Sequence, residues 1–317
     1  EPRFLTERDF EKEHRRTKIA VGDVLFTIVG TVGRIAVVDE DMSTFALQRS
    51  VAVLHPKNDV CLPRFLMYAL RGKRTYIENR AKGVAQKGIY LKEVSDIDIH
   101  IPDISNQEII INKLDKVNAI IKLRQKELLV LDNFIKARFV EMFGDPIRNT
   151  QNRPTTEFIN VVRMQRGFDL PVQDRQQDGK IPVYGSNGVL DHHNVAKIQG
   201  GGVITGRSGT IGKVFYTEGD YWPLNTSLFS VDTHGNNVIY LAYLLQLFNL
   251  TRFVEGTGVP TLNRNMFHNK QIIDAPIEEQ NQFADFVHQV DKSKFAVQKT
   301  LEQTQTLFDS LMQKYFG

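Results

Sequence analysis

Two kinds of hydrophobic pattern alternate along this chain, and each occurs twice. Compact apolar runs bounded by glycine, Asp23 to Val38 and Gly202 to Tyr216, have the density of strands. Longer, diluted patterns follow them. Ile110, Leu114, Val117, Ile121, Leu128, Leu131, Ile135 and Met142 step in a 4-3 rhythm broken by Arg124 and Arg138. That rhythm predicts a helix about 55 Å long at 1.5 Å per residue. Phe283, Val287, Val290, Val297, Leu301, Phe308, Leu311 and Tyr315 repeat it near the C-terminus, with Lys294 and Thr304 as interruptions. A helix showing such a seam to water is poorly soluble, so two similar seams predict an antiparallel coiled coil. Because each helix follows its own strand-rich segment, antiparallel pairing is expected to send the two segments to opposite ends.

The rhythm belongs to an internal duplication whose period is too long for a solenoid. Gly30-Thr31-Val32-Gly33-Arg34 recurs as Gly209-Thr210-Ile211-Gly212-Lys213, each expected within a strand-like run. Phe65-Leu66-Met67-Tyr68-Ala69-Leu70 recurs as Tyr240-Leu241-Ala242-Tyr243-Leu244-Leu245. The loop Gly83-Val84-Ala85-Gln86-Lys87-Gly88-Ile89-Tyr90-Leu91-Lys92 has its counterpart in Gly256-Thr257-Gly258-Val259-Pro260-Thr261-Leu262-Asn263-Arg264. From Gln107 and Gln280 the copies align without a gap to Phe143-Gly144 and Phe316-Gly317.

The fold class expected is therefore α/β in the α+β sense, with an internal pseudo-two-fold repeat. A strand-rich domain at 1–103 precedes a helix at 104–143, a linker at 144–155, a second strand-rich domain at 156–277 and a helix at 278–317. Gly144-Asp145-Pro146 reads as the helix stop, and the polar stretch after it has little to bury. The chain begins at Glu1, and far fewer residues precede Gly30 than separate the linker from Gly209. The first domain is thus expected to lack its opening strands.

Composition narrows the chemistry. With 317 residues, 41% of them hydrophobic, the chain can bury more than one core. A formal charge of +3 permits nucleic-acid binding without arguing for it. The single cysteine, Cys61, cannot form an internal disulfide and reads as a small core residue, consistent with a cytoplasmic location. The most apolar stretch, Val238 to Leu250, is interrupted by Tyr240, Gln246 and Asn249, which argues against a membrane span. Neither a GxxxxGK(S/T) phosphate loop nor an (Asn/Asp)-Pro-Pro-aromatic tetrapeptide occurs, so ATP hydrolysis and base methylation are not expected of this chain. His192-His193 cannot present two imidazoles from one strand face, and no metal site is expected.

These motifs, in this order and repeated, resemble the specificity subunit of type I restriction-modification systems over nearly the whole chain. The strongest carriers are the Gly-Thr-(Val/Ile)-Gly motif, the paired glycine loops, the Pro-x-x-x-Gln helix start at Pro276 to Gln280, one residue longer at Pro102 to Gln107, and the Phe-Gly helix ends. The resemblance implies two target recognition domains, each reading half of a bipartite DNA target, held apart by the paired helices. It further implies a non-catalytic chain without cofactors of its own. Its expected partners are double-stranded DNA, two methyltransferase subunits using S-adenosylmethionine, and restriction subunits using ATP and Mg. Pseudo-two-fold symmetry sets the half-sites roughly 10 base pairs apart, centre to centre.

Base readers need two-pronged donors for guanine or adenine and small residues where backbone nears phosphate. The second domain offers Tyr184, Ser186 and Asn187 in one loop and Arg207 and Ser208 in another. Asn225 and Thr226 lie in a third, Asn263 and Arg264 in a fourth, and Arg163, Arg166 and Lys213 are candidates for a phosphate-binding rim. In the first domain the matching candidates are Arg34, Arg49, Gln86, Lys87 and Lys92. Two other readings fit the same pattern: a coiled-coil scaffold whose ends bind protein, and the recognition half of a fused restriction-methylation enzyme.

Overall fold

The computed structural model describes residues 4–42, 44–81, 88–176, 178–256 and 260–317. The chain divides into two compact units, one formed by Glu1–Lys126 with Gln298–Gly317 and the other by Glu127–Val297.

In the first unit, α1 (Glu7–Arg16) starts at Thr6, whose hydroxyl accepts from Asp9 N at 3.2 Å. An antiparallel sheet follows, with β1 (Val24–Thr27) between β2 (Ile35–Val37) and β3 (Val51–Leu54). Helices α2 (Pro63–Gly72), α3 (Arg74–Arg80) and α4 (Leu91–Ser95) cover it and lead to α5 (Ile104–Phe143). Phe65, Tyr68, Ile111, Leu114 and Phe316 share one core, which also takes Cys61.

In the second unit, β4 (Thr155–Glu157), α6 (Phe158–Val161) and β5 (Arg163–Arg166) precede a hairpin of β6 (Ile181–Gly185) and β7 (Gly188–His193). Then come β8 (Gly202–Gly206), β9 (Val214–Thr217), β10 (Trp222–Pro223), β11 (Ser227–Asp232) and α7 (Val238–Phe248). The chain continues through β12 (Val254–Glu255), β13 (Thr261–Leu262) and β14 (Gln271–Ile273) into α8 (Ile277–Phe316). The main sheet has the order β5-β11-β8-β9 and is antiparallel throughout. The apolar stretch from Val238 is α7, whose residues Ile239, Tyr240, Leu241, Leu244 and Leu245 are buried beneath that sheet. Among the described residues no helix is long and apolar enough to cross a membrane.

The Gly-Thr-(Val/Ile)-Gly motif departs from its expected strand setting. It is the turn of a hairpin, β1–β2 in one unit and β8–β9 in the other. All four glycines, Gly30, Gly33, Gly209 and Gly212, have φ between 79° and 85°. An L side chain resists that left-handed region, which is why the strand pattern breaks at these positions. The two turns close alike: Gly33 N donates to Thr27 O at 2.9 Å, and Gly212 N to Gly206 O at 3.5 Å.

Both long helices lack interior glycine and proline, the residues that most often break a helix. Within the first unit, the early part of α5 packs on the late part of α8. Leu114, Val117 and Ile121 are buried, Ile110 is half-buried, Phe308 and Leu311 pack there from α8, and Leu301 is half-buried. The rings of Tyr68 and Phe308 lie 6.3 Å apart there. Within the second unit, late α5 packs on early α8. Ile135 joins Phe283, Val287 and Val290 in the core, with Leu131 and Leu128 half-buried and Val297 buried. Lys294, an interruption in the seam, bonds Asp132 across it at 2.8 Å. Phe139 and Phe143, fully buried against Tyr240 and Phe283, extend the seam beyond the rungs that the rhythm marks. Truncating a ring buried this fully costs about 3–5 kcal/mol.

The stretch after Gly144 buries more than its polarity suggests. Gln151 Nε2 donates to Glu141 O at 2.7 Å, and Arg153 bonds Glu279 at 2.7 Å while its guanidinium lies 5.3 Å from the Phe143 ring centre. The segment thus seals the end of α5 and ties it to the start of α8.

Candidate nucleic-acid interface

The second unit's hairpin turn is the point on which its polar loops converge. Arg207 N and Ser208 N both donate to Thr226 O, at 2.9 and 3.2 Å, which brings the β10–β11 turn beside the hairpin. Leu262 N donates to Arg207 O at 2.9 Å, and Ser208 bridges Thr261, which adds the segment bearing Asn263. From the third side comes the tight β6–β7 turn. A Cβ on Gly206 would lie 2.6 Å from Ser186 O, and one on Gly209 would lie 3.3 Å from Ser186 Oγ. Small residues are therefore required where these loops meet.

This arrangement gathers Ser186, Asn187, Arg207, Ser208, Lys213, Asn225 and Thr226. Lys213 Nζ donates to Asn187 Oδ1 at 2.7 Å, so a cation from the hairpin orients an amide from the neighbouring turn. Both are exposed, whereas Arg207, Ser208, Asn225 and Thr226 are half-buried. Asn225 bonds Asp169 through its own amide, a partner the sequence reading had not singled out. Arg166 pairs with Leu228 in the sheet, at the end of β5 nearest this cluster.

Two candidates fall elsewhere. Tyr184 is buried, its ring 6.0 Å from that of Tyr221, so it braces the turn from below and leaves the set of surface readers. Burial raises its hydroxyl pKa, with Thr217 opposing through a hydrogen bond. Arg163 sits opposite Asp232 at the far end of β11, 4.0 Å from its carboxylate. The charges of Arg163 and Arg264 both act on His268, a half-buried residue that accepts from Met164 N through Nε2 at 3.2 Å. Burial, then the charges of Arg264 and Arg163, hold this imidazole below its ordinary range.

In the first unit, Arg34, Arg49 and Lys92 are exposed. The hairpin turn carries Arg34, and Arg49 precedes Ser50, whose carbonyl accepts from Ile28 N at 2.8 Å and Val29 N at 3.4 Å. Lys92 opens α4 one residue after Leu91. Gln86 and Lys87 lie outside the described residues. The positions matching Ser208, Asn263 and Arg264 are Val29, Tyr90 and Leu91, a difference that aligning the two copies through their hairpins and glycine loops would have revealed.

The model of the type I restriction modification DNA specificity domain matches residues 5–133 and again 149–304. The specificity subunit of the Escherichia coli type I restriction enzyme EcoBI is 30% identical over 114 residues, covering 35% of this chain and 24% of that protein. The matched stretch thus spans about a quarter of that relative's length. Among solved structures, the S subunit of a type I restriction-modification system from M. genitalium superposes with a TM-score of 0.60 at 15% identity, covering 93% of this chain and 83% of that one. A chain solved in work on complex assembly and conformational transition of the type I system gives 0.56 at 16% identity, covering 94% and 82%. At these identities the two structures show a shared fold, mixed α/β with long helices.

Proposed function

The chain belongs to the type I restriction modification DNA specificity family, and from that premise we propose that it selects the DNA sequence on which a type I restriction-modification complex acts. The observation that carries this reading is the convergence of amide, hydroxyl and cationic side chains from three turns and the β13 segment on the Gly206–Gly212 hairpin. In this reading each unit reads one half of a bipartite target. Asn187 supplies the paired donor and acceptor suited to adenine and Arg207 the two-pronged donor suited to guanine, while Lys213, Arg166 and Asn263 face the backbone. Arg34, Arg49 and Lys92 face the backbone in the first unit.

The chain performs no chemistry itself. It presents its long helices to methyltransferase subunits that bring S-adenosylmethionine, and the assembly recruits restriction subunits that consume ATP with Mg. The test is co-expression with the methyltransferase encoded beside it, followed by mapping of methylated bases in cells with and without the chain. Methylation at a split motif that requires the chain supports the proposal. A chain that binds no separate methyltransferase favours the fused-enzyme or scaffold reading.

A further inference from the structure

The two units build the same loop junction from the same backbone hydrogen bonds and then present different chemistry on it. In the first unit Ile28 N and Val29 N donate to Ser50 O, Ile89 N donates to Ile28 O at 2.9 Å, and Val29 bridges Gly88. In the second, Arg207 N and Ser208 N donate to Thr226 O, Leu262 N donates to Arg207 O at 2.9 Å, and Ser208 bridges Thr261. This correspondence sets Val29 opposite Ser208, Tyr90 opposite Asn263 and Leu91 opposite Arg264. Hydroxyl, amide and guanidinium in one unit are thus replaced by an isopropyl group, a phenol and an isobutyl group in the other.

These apolar side chains are not spent on the first unit's core. Tyr90 is 73% exposed, Leu91 61% and Val29 37%. Exposed cations neighbour them in sequence: Arg34 across the turn, Arg49 beside the accepting Ser50, and Lys92 directly after Leu91. Glu93 also lies beside them, its carboxylate accepting from Tyr90 N at 2.9 Å, so three cations stand against one carboxylate. An apolar centre within a positive surround suits a surface that is both anionic and locally apolar. The major groove offers that combination where a thymine methyl group stands between phosphate backbones.

Resting on the reading of the chain as a DNA specificity subunit, we propose that the first unit recognises thymine through its C5-methyl group, with Val29, Tyr90 and Leu91 forming the contact, whereas the second unit reads bases by hydrogen bonding. The two halves of the target are then read in different ways despite a common scaffold.

The experiment uses the full chain co-purified with its methyltransferase on duplexes carrying the mapped target. Asn187→Ala identifies the half read by the second unit, since it relaxes sequence preference there alone. Deoxyuridine then replaces thymine in each half in turn, which removes only the methyl group. Affinity is expected to fall about four-fold for each contacted methyl in the first unit's half. No change is expected in the other half. Tyr90→Asn with Leu91→Arg should erase the difference between thymine and uracil. Unchanged affinity on deoxyuridine duplexes, or a first half-site made only of G·C pairs, overturns the inference while leaving the DNA-specificity reading intact. Absence of any sequence-specific binding removes both.

Discussion

The side-chain oxygen of Gln280 accepts a hydrogen bond from the backbone N–H of Asn237 at 2.9 Å. Asn237 is the cap of α7, so a residue in the first turn of α8 closes the start of another helix. The Gln280 amide also donates to Ala275 O at 2.8 Å and Asn236 Oδ1 at 2.7 Å. Gln107 repeats the device in the other unit, accepting from Leu62 N at 2.8 Å and donating to Val60 O and Pro102 O, both at 2.8 Å. Both glutamines are buried. Each therefore joins the segment that starts its unit's shorter helix to the start of a long helix through two hydrogen bonds, and a third holds the chain just before the long helix.

Gln280→Leu keeps the volume but strands the half-buried Asn237 N–H and the buried Ala275 carbonyl. Unsatisfied groups of this kind cost about 1–3 kcal/mol each. The urea midpoint is expected to fall accordingly, and Gln107→Leu should behave alike because the geometry is the same. A neutral result for either would mean that water satisfies the orphaned groups.

The hairpin turns separate backbone strain from crowding. Gly33→Ala must hold φ near 85° but meets only Ile77 Cγ2, at 3.5 Å. Gly212→Ala has the same torsional problem at 83° and also places its methyl 2.3 Å from Thr251 Cγ2. The first should cost about 1–2 kcal/mol, and the second clearly more. Gly212→Ala with Thr251→Ser should recover the difference, as read by equilibrium unfolding.

Much of this was legible in the sequence because duplication supplies its own control. A lone 4-3 stripe fits many helices, but two in a constant offset, each beginning at Pro and Gln and ending at Phe-Gly, mark a paired design. What resisted reading was local. The hairpin turn was mistaken for strand because Val32 and Ile211 carry apolar side chains between glycines, and hydropathy does not report φ. Tyr184 has the polar neighbours Ser186 and Asn187 of a surface reader, yet its strand is buried through Val183, Tyr184 and Gly185 and its ring packs against Tyr221. The role of Gln107 and Gln280 needed three dimensions, since their partners lie 45 and 43 positions away.

His268 gives the second unit a pH-sensitive point. Its pKa lies below the ordinary 6.5, chiefly through burial and secondarily through Arg264 and Arg163. Nε2 must be unprotonated to accept from Met164 N. The unfolded chain therefore binds a proton at this site more readily than the folded one. Stability from His268 is present above pH 6.5 and is lost as pH falls from there through the lower folded value. Thermal unfolding should show a loss of stability on acidification that is reduced in His268→Gln. An unchanged acid slope in that variant would assign the loss to other groups.

Under the proposed function, the contact between Lys213 and Asn187 makes two ordinarily separable properties of DNA binding depend on each other. A lysine facing phosphate contributes to the salt dependence, and its removal is expected to lower the slope of log K against log salt by about 0.9. An asparagine facing a base contributes about 1–3 kcal/mol of discrimination and little to that slope. Here Nζ of Lys213 holds Oδ1 of Asn187 at 2.7 Å, so the cation also fixes the amide's orientation. Lys213→Gln should thus reduce the salt slope and also relax sequence preference, whereas Asn187→Ala should relax preference alone. The double substitution should discriminate no worse than Asn187→Ala, because the amide that Lys213 orients is already gone. Binding isotherms on target and scrambled duplexes, taken between roughly 50 and 200 mM salt, measure both quantities. Additive losses of discrimination would show that the two side chains act independently and that the hydrogen bond between them has no part in reading the base.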